Sequence, residues 1–291
     1  MDTRLNYSTF GIPGLSFNPI GFLELPLLVM LAYIYRTHFR WMLLGPMFVL
    51  YLWKECVPMS TCLHRYFSHK GFKCGRTTQF GLYLLGCLAS QGPPLWWASK
   101  HRKHHGHCDT KDDPHSPVAY SKLYAWLGWA YLPSGDGPFG RGHDQDYLHD
   151  HLKFPELAIG ENLYWMPIFA AHGIFYTFGG IDWAVFVSMF SGCLCQVLTL
   201  YFNVAFHSTP IYEAEKARSD GVGVCRAVDL PFDPLANIFG EAYHGWHHLH
   251  PMAYKRPGLD LPYWIFILPG LSTGLLWGEN KIQEVKMTRV D

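Results

Sequence analysis

Four apolar stretches of roughly twenty residues constrain this chain more than any other feature, because they commit it to a bilayer. They cover residues 16–35, 41–63, 163–178 and 182–206. About 20 mostly apolar residues are needed for a helix to cross the hydrocarbon, where every backbone N–H and C=O must be paired within its own segment. The first two stretches are joined by Arg36–Arg40 and the last two by Gly179-Gly180-Ile181, so each pair predicts a helical hairpin. Charged residues make up only 16% of the 291. Soluble domains carry about 25%, so the composition agrees with the spans.

Two shorter apolar runs fail the length test. Residues 80–89 stop at Gly92-Pro93-Pro94, and residues 263–277 are interrupted by Pro269-Gly270, so both predict interfacial or re-entrant helices. Eleven Lys and Arg lie between His64 and Lys153 and eight lie after Phe206, against Arg36 and Arg40 in the two hairpin turns. The positive-inside rule then puts the middle and C-terminal segments on the cytosolic side. The expected fold is an all-α integral membrane protein with one domain over residues 1–291. Four transmembrane helices form two hairpins under a cytosolic helical cap made of residues 64–160 and 207–291. A formal net charge of zero argues against a nucleic-acid partner. The eight cysteines include no CxxC pair and several sit in apolar runs, so free thiols in a reducing compartment are expected. The first sixteen residues lack the basic head and cleavage site of a signal peptide. Lys54 and Glu55 lie inside the second stretch, as a functional pair or as structural charges.

Seventeen histidines are present, and eight fall into three tight groups. They are His64-Arg-Tyr-Phe-Ser-His69, His101-Arg-Lys-His104-His105 and His244-Gly-Trp-His247-His248. Positions i, i+3 and i+4 share one face of a helix, so each HxxHH aims three imidazoles at one spot. His64 and His69 would diverge by about 140° on an ideal helix, which predicts that they straddle a helix end. Neutral imidazole is the commonest protein ligand for iron, copper and zinc. Eight are too many for one structural zinc, which closes its shell with four. With no HExxH, no CxxC and no ExxH pair, two irons held by imidazoles, with room for O2, fit best. His38, His143, His149 and His151 read as solvated loop residues. His172, inside the third stretch, reads as bonded to a backbone carbonyl or lining the interior.

The boxes HRYFSH, HRKHH and HGWHH resemble those of the membrane fatty acyl desaturases, of the acyl-CoA Δ9 (stearoyl-CoA) type. The likeness runs from about Trp53 to Trp277. It implies an O2-dependent enzyme that introduces a cis double bond into a saturated fatty acyl-CoA. It also implies a ninth ligand, His207, with Asn203 reaching the metal through water, since both sit in Asn203-Val-Ala-Phe-His207. Trp97, Gln91 and Thr199 stand where the family shapes the kink of its acyl tunnel. Leu52 and Cys56 stand at the tunnel end, in place of a bulky Tyr and a small Ala. No HPGG haem motif is present, so an external electron donor such as cytochrome b5 or ferredoxin is implied.

Metal-bound imidazoles usually donate their second N–H to a carboxylate, and Asp109, Asp112, Asp113 and Glu241 are placed for that role. Arg65, Lys70, Lys73, Arg102 and Lys103 could meet a phosphorylated headgroup at the cytosolic mouth. The host membrane is then the endoplasmic reticulum or a bacterial inner membrane. Rival readings are a hydroxylase, a desaturase of acyl-lipids or sphingoid bases, and a histidine-rich metal transporter. Transporters hold their cargo near the bilayer midplane, whereas these boxes flank the spans.

Overall fold

A computed structural model describes residues 22–131, 143–207 and 225–282, so the first part of the first apolar stretch, 16–21, lies outside the described residues. The architecture is mostly helical. Helix α1 is Glu24–Ile34. Helix α2, Leu44–Lys54, runs on without a break into a wide π-type helix, Glu55–Ser68. Helices α3, Arg76–Cys87, and α4, Pro94–His107, follow. Next come a short helical stretch from Tyr124 to Tyr131, then α5, Pro155–Leu163.

Helix α6, Trp165–Trp183, continues through a π segment, Ala184–Met189, into α7, Phe190–Ala205. Among the described residues this run, 165–205, is the one helical segment long and apolar enough to cross a membrane. It is not straight. Gly179 (φ −152°) and Gly180 (φ 65°) leave the helical region, folding the run back at the turn expected between the third and fourth stretches. Only glycine takes a left-handed φ there without strain.

The C-terminal part adds α8, Pro234–Phe239, and α9, His244–Leu249, then Tyr263–Ile267 and Leu268–Ser272 wound end to end. Pro269 does not break this last helix, which runs on past it and ends at Ser272. One small antiparallel pair, Lys73–Cys74 with Leu276–Trp277, ties the chain end to the loop after the first histidine box.

Buried ion pairs fasten the cap. Arg65 is fully buried, its Nη2 2.7 Å from Asp260 Oδ1, and its Nη1 donates to the Tyr254 carbonyl at 2.7 Å. Arg102 donates to the carbonyls of Phe67, Ser68 and Tyr147 and to Asp150. Lys70 reaches Asp150 and Lys103 reaches Asp144. Of the five basic residues expected at a headgroup mouth, only Lys73 is exposed. The others are tied into the cap, because a cation beside a histidine box is also the nearest partner for the carboxylates that hold the cap together.

Lys54 and Glu55 do not pair with each other. Lys54 Nζ donates to the Ser188 carbonyl at 2.9 Å, and Glu55 accepts from Thr199. His172 contacts the Ser188 hydroxyl at 2.9 Å rather than a backbone carbonyl, and its other nitrogen lies 3.2 Å from Glu24. This polar belt converges on Gly192. A Cβ there would lie 2.4 Å from Ser90 Oγ, 2.8 Å from Lys54 Nζ and 2.9 Å from Glu24 Oε1. Gly192→Ala is therefore expected to destabilise the protein by about 1–3 kcal/mol, the usual penalty for overpacking. Thermal unfolding in detergent checks this, and an unchanged midpoint would mean the belt yields freely.

Candidate metal centre

Four helix ends meet beneath the cap. Helix α4 carries the second box, and its N-terminus is capped from outside: the Glu161 carboxylate accepts the N–H groups of Leu95 and Trp96 at 3.0 and 3.1 Å. A carboxylate at that end satisfies orphan donors and complements the helix dipole. Glu161 also takes the Tyr83 hydroxyl and lies 2.6 Å from His143 Nε2. His143 is thus an anchor rather than a solvated residue, and so is the buried His151, 2.7 Å from the Phe67 carbonyl. His38, paired with Asp182, and His149 stay exposed.

The wide helix 55–68 explains the first box. Its hydrogen bonds span five residues, as in His69 N–H to the His64 carbonyl. In a π-type winding i and i+5 are stacked, so His64 and His69 converge instead of diverging by about 140°. His69 occupies the C-cap.

The imidazoles form two adjoining clusters. In the first, the ligand nitrogens of His64, His69, His101, His105 and His247 all lie within 4.8 Å of one another. Nε2–Nε2 separations are 2.9 Å for His64–His247, 2.9 Å for His69–His101, 3.1 Å for His101–His105 and 3.1 Å for His105–His247. In the second, His207 Nε2 and His248 Nε2 lie 3.1 and 3.2 Å from His244 Nε2, and His104 stands 4.8 Å from His207 between ring centres. His105 stacks on His248 at 4.2 Å, joining the clusters.

Hydrogen bonding cannot account for these contacts. An imidazole nitrogen has one hydrogen or one lone pair, yet the Nε2 atoms of His101, His105, His247 and His244 each face two others. A shared cation resolves the crowding. Two ligands at right angles on an ion bonded at about 2.1 Å, the zinc–imidazole distance, are about 3.0 Å apart.

Carboxylates fix the tautomers. His64 Nδ1 lies 3.1 Å from Glu241, His104 Nδ1 2.8 Å from Asp113, and His207 Nδ1 3.0 Å from Asp109. A carboxylate only accepts, so each Nδ1 carries the hydrogen and each Nε2 turns a lone pair inward. Burial keeps the rings neutral. It pushes His64 down to about 4, and burial with neighbouring imidazoles drives His69, His101, His105, His247 and His248 well below their ordinary value. His104 is the exception, since Asp113 overrides burial and raises it.

The carboxylates are themselves held. Glu241 pairs with buried Arg256 and accepts from Ser60, while Asp109, at a left-handed φ of 59°, accepts from Ser116 and the Arg226 N–H. Asp112, expected to join them, is exposed, and its N–H bonds Thr110; it touches no imidazole. Sequence reasoning missed Arg256 and Asp260, which no motif marks. It also missed His115 as a neighbour of the site, whose ring lies 4.5 Å from His104, two residues beyond Asp113. A second correction concerns cysteine: Cys108 and Cys225 form a disulfide across 117 residues, beside His207 and His248. Both follow or precede boxes that fold together, a proximity invisible in linear spacing.

Trp97 stacks on His101 at 4.9 Å, and Trp97 Nε1 donates to Gln91 (3.0 Å), whose Nε2 donates to Thr199 (2.8 Å). A cavity of about 20 Å³ beside the clusters is lined by Trp97, Lys100, His101, His115, Trp129, Thr199, Leu200 and Asn203. Leu52 is half-buried and Cys56 buried in the neighbouring apolar core.

With this geometry in place, comparison with known proteins becomes decisive. A family model described as fatty acid desaturase matches residues 37–266. The chain belongs to the fatty acid desaturase family. It is 48% identical over 253 residues, 78% of the chain and 70% of the relative, to a hex-5-enoyl-[acyl-carrier protein] acetylenase of Moorena producens (strain JHB). It is 30% identical over 269 residues, 89% of each, to an sn-1 stearoyl-lipid 9-desaturase of Anabaena variabilis. An icosanoyl-CoA 5-desaturase of Limnanthes douglasii is 27% identical over 202 residues, 69% of this chain and 54% of the relative. This desaturase-family chain is accordingly an oxidoreductase.

Alanine at His104, His247 or His248 should remove most bound metal, measured by elemental analysis of the purified protein. Asp113→Asn and Glu241→Gln should weaken metal affinity about 10–100-fold, the usual effect of losing an imidazole's carboxylate partner. Full metal content in the asparagine variant would show that Asp113 does not orient His104.

Proposed function

We propose that the two clusters hold two iron ions and that the protein uses O2 and two electrons from an external donor to desaturate a fatty acyl chain. His64, His69, His101, His105 and His247 form one ligand set, and His104, His207, His244 and His248 the other, with Asn203 reaching the metal through water. The observation that carries this reading is the convergence of nine imidazoles, eight buried and His105 half-buried, on two adjoining points, each set backed by a carboxylate. Bound there, a pair of ferrous ions supplies the one-electron chemistry with O2 that unactivated C–H bonds require. Overall, two hydrogens leave adjacent methylenes and, with two protons and two electrons, reduce O2 to two waters.

The chain's own residues position the substrate. Trp97, braced by Gln91 and Thr199, forms a rigid wall beside His101, and a small misplacement of the reacting bond there is costly. A chain bent at this wall would give a cis product, and we read the protein as a Δ9 desaturase acting on a saturated acyl-CoA. The cap faces the cytosol in this reading, with the four apolar stretches in the bilayer. A second reading, oxidation of an existing double bond on an acyl carrier protein, is favoured by the 48% identical acetylenase.

Expression in a desaturase-deficient yeast supplied with saturated and monounsaturated fatty acids from six to eighteen carbons, followed by mass spectrometric location of new unsaturation, tests both. A cis double bond nine carbons from the carboxyl, absent with His104→Ala, is expected. Hydroxylated product alone, or iron bound without any product, would sink the desaturase reading.

A further inference from the structure

The hydrogen-bond chain that braces Trp97 does not stop at Thr199. Thr199 Oγ1 donates to Glu55 Oε1 at 2.7 Å, so the order Trp97, Gln91, Thr199, Glu55 is a line of donors that ends in a carboxylate. Such a line needs an acceptor at its end, and Glu55 Oε1 is that acceptor. Glu55 is fully buried, and its second oxygen is buried with no N–H or O–H donor on it among the described residues. The Cys195 thiol lies against the same carboxyl group.

Behind it stands the polar belt of Glu24, Lys54, Ser90, His172 and Ser188, so two polar layers occupy the bundle on the side of Thr199 away from the histidine clusters. An acyl chain is held by burying methylenes against apolar walls. A carboxylate with an unsatisfied oxygen is a wall it cannot use, because the chain would strip water without offering a hydrogen bond.

We propose that Glu55 closes the acyl channel just past the bond being oxidised, so that the substrates are acyl thioesters with at most a few carbons beyond that bond. This rests on the desaturase reading and deepens it. It also revises the expectation that Leu52 helps end the tunnel. Leu52 lies three residues, about 4.5 Å along the helix, farther from His64 than Glu55 does. A chain stopped at Glu55 never reaches it. The distance from carboxyl to double bond is left free by this argument, since that is counted on the other side of the kink.

The test uses the iron-loaded enzyme in detergent with its electron donor. Saturated acyl thioesters from hexanoyl to stearoyl, on CoA and on acyl carrier protein, are assayed for unsaturated product. Wild type should favour chains that end within a few carbons of the new bond over chains that run several methylenes farther, by about tenfold or more, since one misfit methylene alone shifts selectivity about 10–200-fold. Glu55→Ala should erase most of that preference, Glu55→Gln should keep it, and Leu52→Tyr should leave it unchanged. Thermal stabilisation by the same thioesters gives a readout independent of turnover, with chains of the favoured length raising the midpoint of the wild-type protein and longer ones failing to. Long chains turned over by wild type as fast as short ones, with many carbons left beyond the new bond, overturn the proposal while leaving the desaturase reading intact. So does an unchanged profile in a folded Glu55→Ala. No unsaturated product from any chain length overturns the reading itself, and this proposal with it.

Discussion

Burying nine imidazoles in one pocket is only stable if something answers their lone pairs. Each ring loses water on entering the interior, and the four nitrogens that face two neighbours cannot be satisfied by hydrogen bonds. The carboxylates behind them deepen the demand. By holding a hydrogen on Nδ1, Glu241, Asp113 and Asp109 force the remaining lone pair toward the centre. Cations are the one class of partner that suits all of these groups at once, so in the proposed reading metal binding and cap folding reinforce each other.

The rest of the cap follows from that requirement. Helix α4 has to present three histidines at fixed angles, and Glu161 holds its N-terminus from a different helix. Glu241 has to remain ionised in the interior, and Arg256 lies against it while Arg65 and Asp260 form a second buried pair alongside. Removing one member of such a set leaves a buried charge without a partner, a loss that is typically about 3–5 kcal/mol. The basic residues beside the boxes therefore serve the scaffold before they can serve a ligand.

Much of this was legible in the sequence because helical spacing maps directly onto space. HxxHH does put its rings on one side of a helix, yet each box divides them between the two clusters instead of meeting at one spot, His101 and His105 parting from His104, and His247 from His244 and His248. The apolar stretch from Leu163 to Phe206 folds back at the glycine pair where its composition says it should. What could not be read depends on winding or on distance along the chain. Five-residue spacing converges only in a π-type helix, and nothing in HRYFSH announces one. Arg65 and Asp260, or Cys108 and Cys225, are adjacent only once the boxes have met around the pocket. Asp112 and Asp113 are neighbours in sequence, yet the turn leading out of α4 buries one and exposes the other.

Regiochemistry and chain length are separable in such a design, and the polar line from Trp97 to Glu55 shows how. The indole is held at one end against a histidine of the first cluster, and the carboxylate sits at the other end in the bundle. Whatever fixes Trp97 against His101 also fixes Glu55 in the bundle, because every link is a hydrogen bond with a single donor direction. In the proposed reading, changing the carboxyl group alters the room available to the substrate tail, while the indole keeps its second anchor by stacking on the imidazole. Changing Gln91 would loosen both ends together. The far terminus of this line is therefore where a substitution disturbs least the ring that faces the histidine clusters.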